Sequence, residues 1–228
     1  ILGQKKIKQS KVLIVGMGGL GCPVAEFLTR AGVGCLGIID PDNVELSNIH
    51  RQTLYDIKDL NIPKVKAALK KLKKINPETK VESYKFRLNK NNFIKLIKNY
   101  DYIVDGSDNF ETKFLINDFC LKYKKILIGG AISKFDGHIF TFNFKSKKSP
   151  CLRCFVQEEK ISDDLLNCEH EGILGTIAGI IGTIQANEVI KIILNIGKNL
   201  NGFILIIDLL NLNFRKVRLN KQKKCICK

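Results

Sequence analysis

Val12-Leu13-Ile14-Val15-Gly16-Met17-Gly18-Gly19-Leu20-Gly21 is the stretch that decides the fold. A four-residue apolar run ends in a G-x-G-x-x-G turn made by Gly16, Gly18 and Gly21, with Gly19 inside it. Between a strand and a helix, such a turn lets the backbone bend tightly and approach an anion. The helix start adds N–H donors and the positive end of its dipole. Leu36-Gly37-Ile38-Ile39 reads as the next strand, and Asp40 ends it 19 residues beyond Gly21. That is the spacing of an acid that holds ribose hydroxyls. Strand, glycine turn, helix, strand and acid, in this order, predict a nucleotide site near the start of the chain.

Outward from this stretch the pattern repeats. Strands are expected near 11–16, 35–40, 80–85, 101–105 and 125–129, with helices near 21–31, 63–75, 91–98 and 110–122. Alternation of this kind predicts an α/β fold with a Rossmann-like, mainly parallel sheet. The second half changes character. Phe135–Phe142 alternates around Gly137 and suits an antiparallel strand, and residues 143–171 read as a long irregular excursion containing Pro150. An apolar helix is expected over Ile173–Ile196, followed by strands at Phe203–Asp208 and Asn213–Arg218 that extend the sheet. With no internal repeat or linker, residues 1–228 are expected to form a single domain.

The 228 residues suffice for one α/β domain with a sizeable core. Hydrophobic residues make up 45% and the mean hydropathy is −0.02, as in a globular chain. The net charge of +16 rests on lysine, with only six arginines. No stacking pattern of aromatics and arginines accompanies it, so neither nucleic acid nor membrane is the expected partner. An acidic protein partner is compatible with this charge. Ile1-Leu2-Gly3-Gln4-Lys5-Lys6 lacks the apolar core of a signal peptide. Gln185, Asn187, Glu188 and Lys191 interrupt the long apolar stretch, which fits a buried helix better than a membrane span or a Gly-x-x-x-Gly membrane dimer. Its glycines, Gly175, Gly179 and Gly182, predict close packing on a sheet. A cytoplasmic location is expected.

Ser47-Asn48-Ile49-His50-Arg51-Gln52 follows the Asp40 strand, and Lys64 opens the next helix after Pro63. An arginine fork and a lysine point charge on this edge suit a triphosphate. A positive charge at a helix start opposes the dipole, which argues that Lys64 serves something other than the helix. Asp101-Tyr102-Ile103-Val104-Asp105-Gly106-Ser107-Asp108-Asn109 ends a strand at the carboxyl edge, where open α/β sheets bind ligands. Asp108 is read as a Mg²⁺ anchor, since that ion takes one or two carboxylates and keeps most of its waters. Asp105 is read as structural, and Asp108 or Asn109 could also cap the next helix.

Eight cysteines in a chain without a signal peptide suggest metal or thiol chemistry rather than disulfides. Cys151-Leu152-Arg153-Cys154 and Cys225-Ile226-Cys227 are two separated pairs, a pattern for a Cys₄ zinc staple, although the C-x-C pair is tighter than usual. Cys168, near His170 and ahead of a helix start, is a candidate nucleophilic thiol, or else a plain loop thiol. Cys22, Cys35 and Cys120 read as packing residues. His50 is flanked by binding candidates, His138 lies in a strand, and neither has metal-ligand spacing.

Taken together these motifs resemble the MoeB/ThiF/HesA family, bacterial relatives of ubiquitin-activating enzymes. The resemblance rests on Gly16–Cys22, Asp40, Ser47–Gln52, Pro63-Lys64, Asp105–Asn109, the two cysteine pairs and Gly182–Lys191, and runs over essentially the whole chain. It implies adenylation of the C-terminal glycine of a small ubiquitin-like sulfur carrier of the ThiS or MoaD type, using ATP and Mg²⁺, in thiamine or molybdopterin biosynthesis. It also implies a homodimer. Carried over by motif, Asp40 would hold the ribose, while Asn48, Arg51, Gln52 and Lys64 would contact phosphates. Asp108 would bind Mg²⁺, and Cys151, Cys154, Cys225 and Cys227 would ligate zinc. Cys168 matches the thiol that some members use in sulfur transfer, with a sulfur donor as a further partner. Members usually carry an Arg-Tyr-x-Arg-Gln stretch that supplies an arginine to the partner's ATP site, and the sequence here begins beyond it. Two other readings of the residues remain: a dinucleotide-dependent oxidoreductase, which leaves Arg51, Lys64 and Asp108 without a role, and a non-enzymatic, zinc-stapled nucleotide-binding module.

Overall fold

The computed structural model describes residues 2–156 and 172–227. Eight strands form one sheet in the order β3-β2-β1-β4-β5-β6-β7-β8. Strands β1 (Lys11–Val15), β2 (Cys35–Ile39), β3 (Lys80–Tyr84), β4 (Tyr102–Asp105) and β5 (Ile126–Ser133) are parallel. Strands β6 (Asp136–Asn143), β7 (Phe203–Asp208) and β8 (Asn213–Arg218) then continue the sheet antiparallel. This is the mixed α/β sheet expected, with β5 running four residues past its expected end. The extra length comes from its hairpin with β6, in which Ala131↔His138 and Ser133↔Asp136 pair.

The central strands are unbroken apolar runs because both their faces are covered. Val12 and Ile14 of β1 pack into one layer with Val24 and Leu28 of α2 (Gly21–Ala31), Ala68 and Leu72 of α3 (Lys64–Ile75), and Ala186 and Val189 of a long later helix. Leu13 and Val15 face the other way. They join Phe93 of α4 (Lys90–Leu96) and Phe114 and Cys120 of α5 (Phe110–Lys122). Asn89 caps α4 by accepting from the backbone of Asn91 and Asn92. A short 3₁₀ turn, Ile97–Asn99, replaces the last turn expected of that helix.

A first helix, α1 (Leu2–Gln9), carries three lysines and buries only Ile7, so no apolar periodicity marks it in the sequence. After the four-residue α6 (Leu152–Phe155), the 20-residue helix α7 (Gly175–Leu194) has a mean hydropathy of 1.5, enough to cross a membrane by length and composition alone. It is half-buried within the protein, packed on α2, β5 and β6. The glycines do not all act as expected. A Cβ on Gly182 would lie 2.4 Å from Leu20 O, so this residue lets α7 approach α2, not the sheet. Among the described residues, nothing lies within 4 Å of a Cβ placed on Gly179. The close approach to the sheet depends instead on strand glycines, with Gly137 facing Ile181 and Gly130 facing Gln185.

Candidate nucleotide site at the carboxyl edge

The glycine turn sits at the carboxyl end of β1, packed against the turn after β4. Gly16 adopts φ +90°, and a Cβ there would lie 2.7 Å from Gly106 O. A Cβ on Gly21 would lie 1.9 Å from Gly16 O, so no side chain fits either position. Gly18 differs: the nearest atom to its Cβ position is Gln52 Nε2 at 3.8 Å. Gly19 lies under Ala178 and the Arg51 carbonyl. Gly16, Gly19 and Gly21 are therefore demanded by packing, while Gly18 leaves room beside a polar amide at the start of α2.

Asp40 follows β2 and is 5% exposed. Its Oδ2 accepts from Met17 N at 2.7 Å and its Oδ1 from Asp42 N at 2.9 Å, so the acid ties the strand end to the glycine turn. Burial raises its pKa, against the opposing pull of the Lys64 ammonium and of these two N–H groups. Lys64, 7% exposed, reaches Asp42 at 3.2 Å and Asp40 at 4.0 Å. A ribbon of backbone bonds brings it there: Val44 N to Ile62 O, Asn61 N to Val44 O, and Lys64 N to Asp42 O. Lys64 is thus no ordinary first-turn lysine but a buried cation between two carboxylates. Asp42, two residues beyond the acid that the motif singles out, carries no motif signal of its own.

The Ser47–Gln52 segment is wedged between the glycine turn and α7, whose Gly175 leaves room for His50 O. Tyr55 fixes it from below by donating to Met17 O at 3.0 Å. Within the segment, Asn48 Oδ1 accepts from Arg51 Nη2 at 2.8 Å and from Gln52 Nε2 at 3.2 Å. The sequence candidates Asn48, Arg51 and Gln52 are therefore one hydrogen-bonded group. Arg51 also holds Ser47 O and the His50 ring. Among the described residues, buried Gln52 Oε1 has no partner, leaving an acceptor that a bound ligand or solvent could satisfy.

After β4 the two aspartates part company. Asp105 is buried and paired with Lys113 at 3.1 Å, the structural role expected of it. Asp108 is exposed and, among the described residues, accepts only from Asn109 Nδ2, at 3.1 Å. Asn109, not Asp108, caps α5 by accepting from Thr112 N at 2.9 Å. Asp108 thus has no capping duty, and its carboxylate stands two residues beyond Gly106, which abuts the glycine turn. A single accessible carboxylate beside a phosphate cradle is the donor set that suits Mg²⁺.

Far along the sheet, Cys151, Cys154, Cys225 and Cys227 bring their sulfurs within 4.8 Å of one another. Cys151 meets Cys225 and Cys154 meets Cys227, each at 3.4 Å, and no disulfide links them. Zinc bound tetrahedrally at about 2.3 Å from each sulfur would hold them about 3.8 Å apart, so this cluster could hold the ion. The C-x-C spacing is no obstacle, because each of its cysteines faces a different member of the C-x-x-C pair. Burial pushes Cys151 upward and Cys227 up to about 12. Cys154 lies below the ordinary thiol value: burial opposes this, and N–H donation from Gln222 and Cys151 outweighs it. Cys22 and Cys120 are packing residues as expected, with burial raising Cys22 to about 12. Cys35 is only half-buried at the start of β2, a partial correction to its reading as core. Cys168 and His170 lie outside the described residues.

The fold is that of an α/β protein of the Rossmann-like class. Residues 2–228 match the ThiF family model, and the chain belongs to the ThiF family. It is 38% identical over 226 residues to the sulfur carrier protein adenylyltransferase of Thermus thermophilus, covering 98% of this chain and 83% of that one. It is 41% identical over 220 residues to the probable molybdopterin-synthase adenylyltransferase of Porphyra purpurea, covering 95% of this chain and 56% of that one. Relative to that second protein, the chain spans little more than half the length. Its fold matches E. coli MccB, solved with MccA-N7isoASN, at a TM-score of 0.86 and 22% identity, over 99% of this chain and 68% of that one.

Proposed function

We propose that this chain is a nucleotidyltransferase that adenylates the C-terminal glycine carboxylate of a small ubiquitin-like sulfur carrier, in thiamine or molybdopterin biosynthesis. The observation that carries the reading is the composition of the carboxyl edge. A phosphate-sized glycine turn lies beside two cations, Arg51 and buried Lys64, with the accessible carboxylate of Asp108 on the adjoining turn. A nicotinamide oxidoreductase needs the cradle but gives neither cation a task. The names of the relatives in Thermus and Porphyra support the same reaction.

In this reading a carrier carboxylate oxygen attacks the α-phosphorus of ATP, the bond to the β-phosphate breaks, and pyrophosphate leaves. A carboxylate is already ionised at neutral pH, so no general base is required. Catalysis then consists of alignment and charge neutralisation. Arg51 and Gln52, oriented by Asn48, and Lys64, oriented by Asp42 and Asp40, would face the phosphates. Gly16, Gly18, Gly19 and Gly21 would shape the cradle, and Asp40 would lie nearest the ribose. Magnesium, held by Asp108, would supply charge neutralisation on the phosphates. Zinc would sit among Cys151, Cys154, Cys225 and Cys227 as a structural ion.

A homodimer in the cytoplasm completes the proposal. On α7, Thr176, Ile180 and Thr183 are exposed and uncharged, and on α2, which packs on α7, Phe27 is exposed as well, in a chain of net charge +16. A second copy is the natural cover for such a face. Cys168 is assigned to a later sulfur step, with a sulfur donor, because the adenylation itself uses no thiol. Mass spectrometry tests the function: a carrier ending in Gly-Gly, incubated with the protein, ATP and Mg²⁺, gains one AMP. A carrier that stays unmodified with every such partner of the source organism contradicts it.

A further inference from the structure

The end of β4 is gripped from both faces of the sheet. On the α5 side, Lys113 is 5% exposed and donates to Asp105 Oδ2 at 3.1 Å and to Gly130 O of β5 at 2.7 Å. Asp105 Oδ1 accepts from Ser107 N at 2.9 Å and from Ser107 Oγ at 2.6 Å, which fixes the first residues of the turn. On the α7 side, Gln185 Nε2 donates to Asp105 O at 2.9 Å and to Ile128 O at 3.3 Å. Gly106 N then donates to Val15 O at 2.8 Å, seating the turn on the end of β1. The whole assembly lies one turn below Asp108.

A buried ion pair is a poor device for stability alone. Apolar side chains of the same volume hold a strand end equally well or better, because both charges must leave water. What the pair adds is direction. The ammonium can satisfy Asp105 and Gly130 together only if β4, β5 and α5 keep one relative placement, and Asp105 passes that placement to Ser107. We infer that Lys113 is a positioning residue for the adenylation reaction: acting through Asp105 and Gly130, it sets the 106–109 turn against the glycine turn so that Asp108 meets the nucleotide-bound metal. This rests on the proposed role of Asp108. Lys113 itself is buried and bonded to Asp105 and Gly130, and acts only through these partners.

The test separates holding from aiming. Lys113→Met leaves buried Asp105 without its cation, and is expected to lower the melting temperature. Asp105→Asn/Lys113→Met removes both charges, and its melting temperature is expected to return close to that of the parent. Electron paramagnetic resonance of Mn²⁺ with ATP then reads the site directly. In the double variant the Mn²⁺ affinity is expected to fall about tenfold or more, the effect typical of losing a residue that supports a metal ligand. The Mg²⁺ concentration for half-maximal pyrophosphate exchange rises by the same factor, and metal-free ATP binding is unchanged. A double variant that melts like the parent and keeps its Mn²⁺ affinity overturns the inference. If that variant does not fold, Lys113→Arg carries the test, since its longer, planar fork changes the geometry of both bonds while keeping the charge: weakened Mn²⁺ binding in a folded protein supports positioning, and unchanged binding overturns it. Asp108→Ala runs alongside. If it binds Mn²⁺ normally, the magnesium assignment is what fails.

Discussion

In the parallel half of the sheet, Val12 to Val15 and Leu36 to Ile39 are buried on both faces, and even the turn that follows β1 is dictated by packing. In the antiparallel half, β8 exposes all six of its residues, and the segment after it is tied back by Leu219 N to Gly202 O, by Gln222 to Cys154 and by the meeting of Cys225 and Cys227 with Cys151 and Cys154. The first half can hold itself by burial. The outer edge of the second has little apolar area to bury, and beside it four thiols converge in a cluster with buried Leu152, Phe142 and Phe144. The contrast bears on the proposed functions as well. The proposed nucleotide edge is built where burial makes the backbone rigid, and the proposed zinc staple would tie the segment after exposed β8 to buried Cys151 and Cys154.

The sharpest way to test this division is to remove Asp108. Asp108→Ala is expected to lower the rate of adenylation by about a thousandfold or more, the scale of losing one group aimed at developing charge. Its stability should stay within about 0.5 kcal/mol of the parent, because Asn109 supplies the cap. A variant that melts early yet keeps its activity per folded molecule would reverse the assignment.

Two glycines of one motif come next. Gly21→Ala forces a Cβ to 1.9 Å from Gly16 O and should cost about 4 kcal/mol or more in urea unfolding. Gly18→Ala meets nothing closer than 3.8 Å, so it should leave stability nearly unchanged while weakening ATP binding. Equal destabilisation by both would mean that the motif is purely a folding device.

The staple is tested by Cys154→Ser. Zinc, near one ion per chain in the parent, should be lost. A cost of about 3 kcal/mol would lower the melting temperature by about 6–12 °C in a chain of this size. Hydrogen exchange should accelerate in β7, β8 and the C-terminal segment and stay slow in β1 and β2. A metal-free parent of the same stability would show that the thiols pack without an ion.

The smallest effect lies at the opposite edge of the sheet. Lys80, with Tyr100 and Tyr84, pulls Glu82 of β3 from an ordinary 4.5 to about 2. A carboxylate depressed by folding stabilises the native state above its unfolded pKa, and that contribution is lost as pH falls towards the folded value. Between about pH 4.5 and pH 2 the parent should therefore lose stability faster than Glu82→Gln. Parallel acid-unfolding curves would remove Glu82 from the account.

The parallel half was legible in sequence because its determinants are local: an apolar run, a glycine turn and an acid at a fixed spacing. The cysteine pairs were legible for the same reason, although the distance between them, 74 residues from Cys151 to Cys225, gave no geometry. What could not be read depends on tertiary contact. Lys113 looks like any helical lysine until Asp105 and Gly130 close around it. Asp42 gains its place only when the Val44–Ile62 ribbon folds back and brings Lys64 to it. Helix α1 carries too many lysines for one buried isoleucine to reveal.

The central claim is that this edge activates a carboxylate with ATP, and isotope exchange between pyrophosphate and ATP measures it most directly. With a Gly-Gly-ending carrier and Mg²⁺ present, labelled pyrophosphate should enter ATP, the signal should vanish without the carrier, and it should persist in Cys168→Ala. No exchange with any such carrier from the source organism, by a folded protein that binds ATP, would contradict the account.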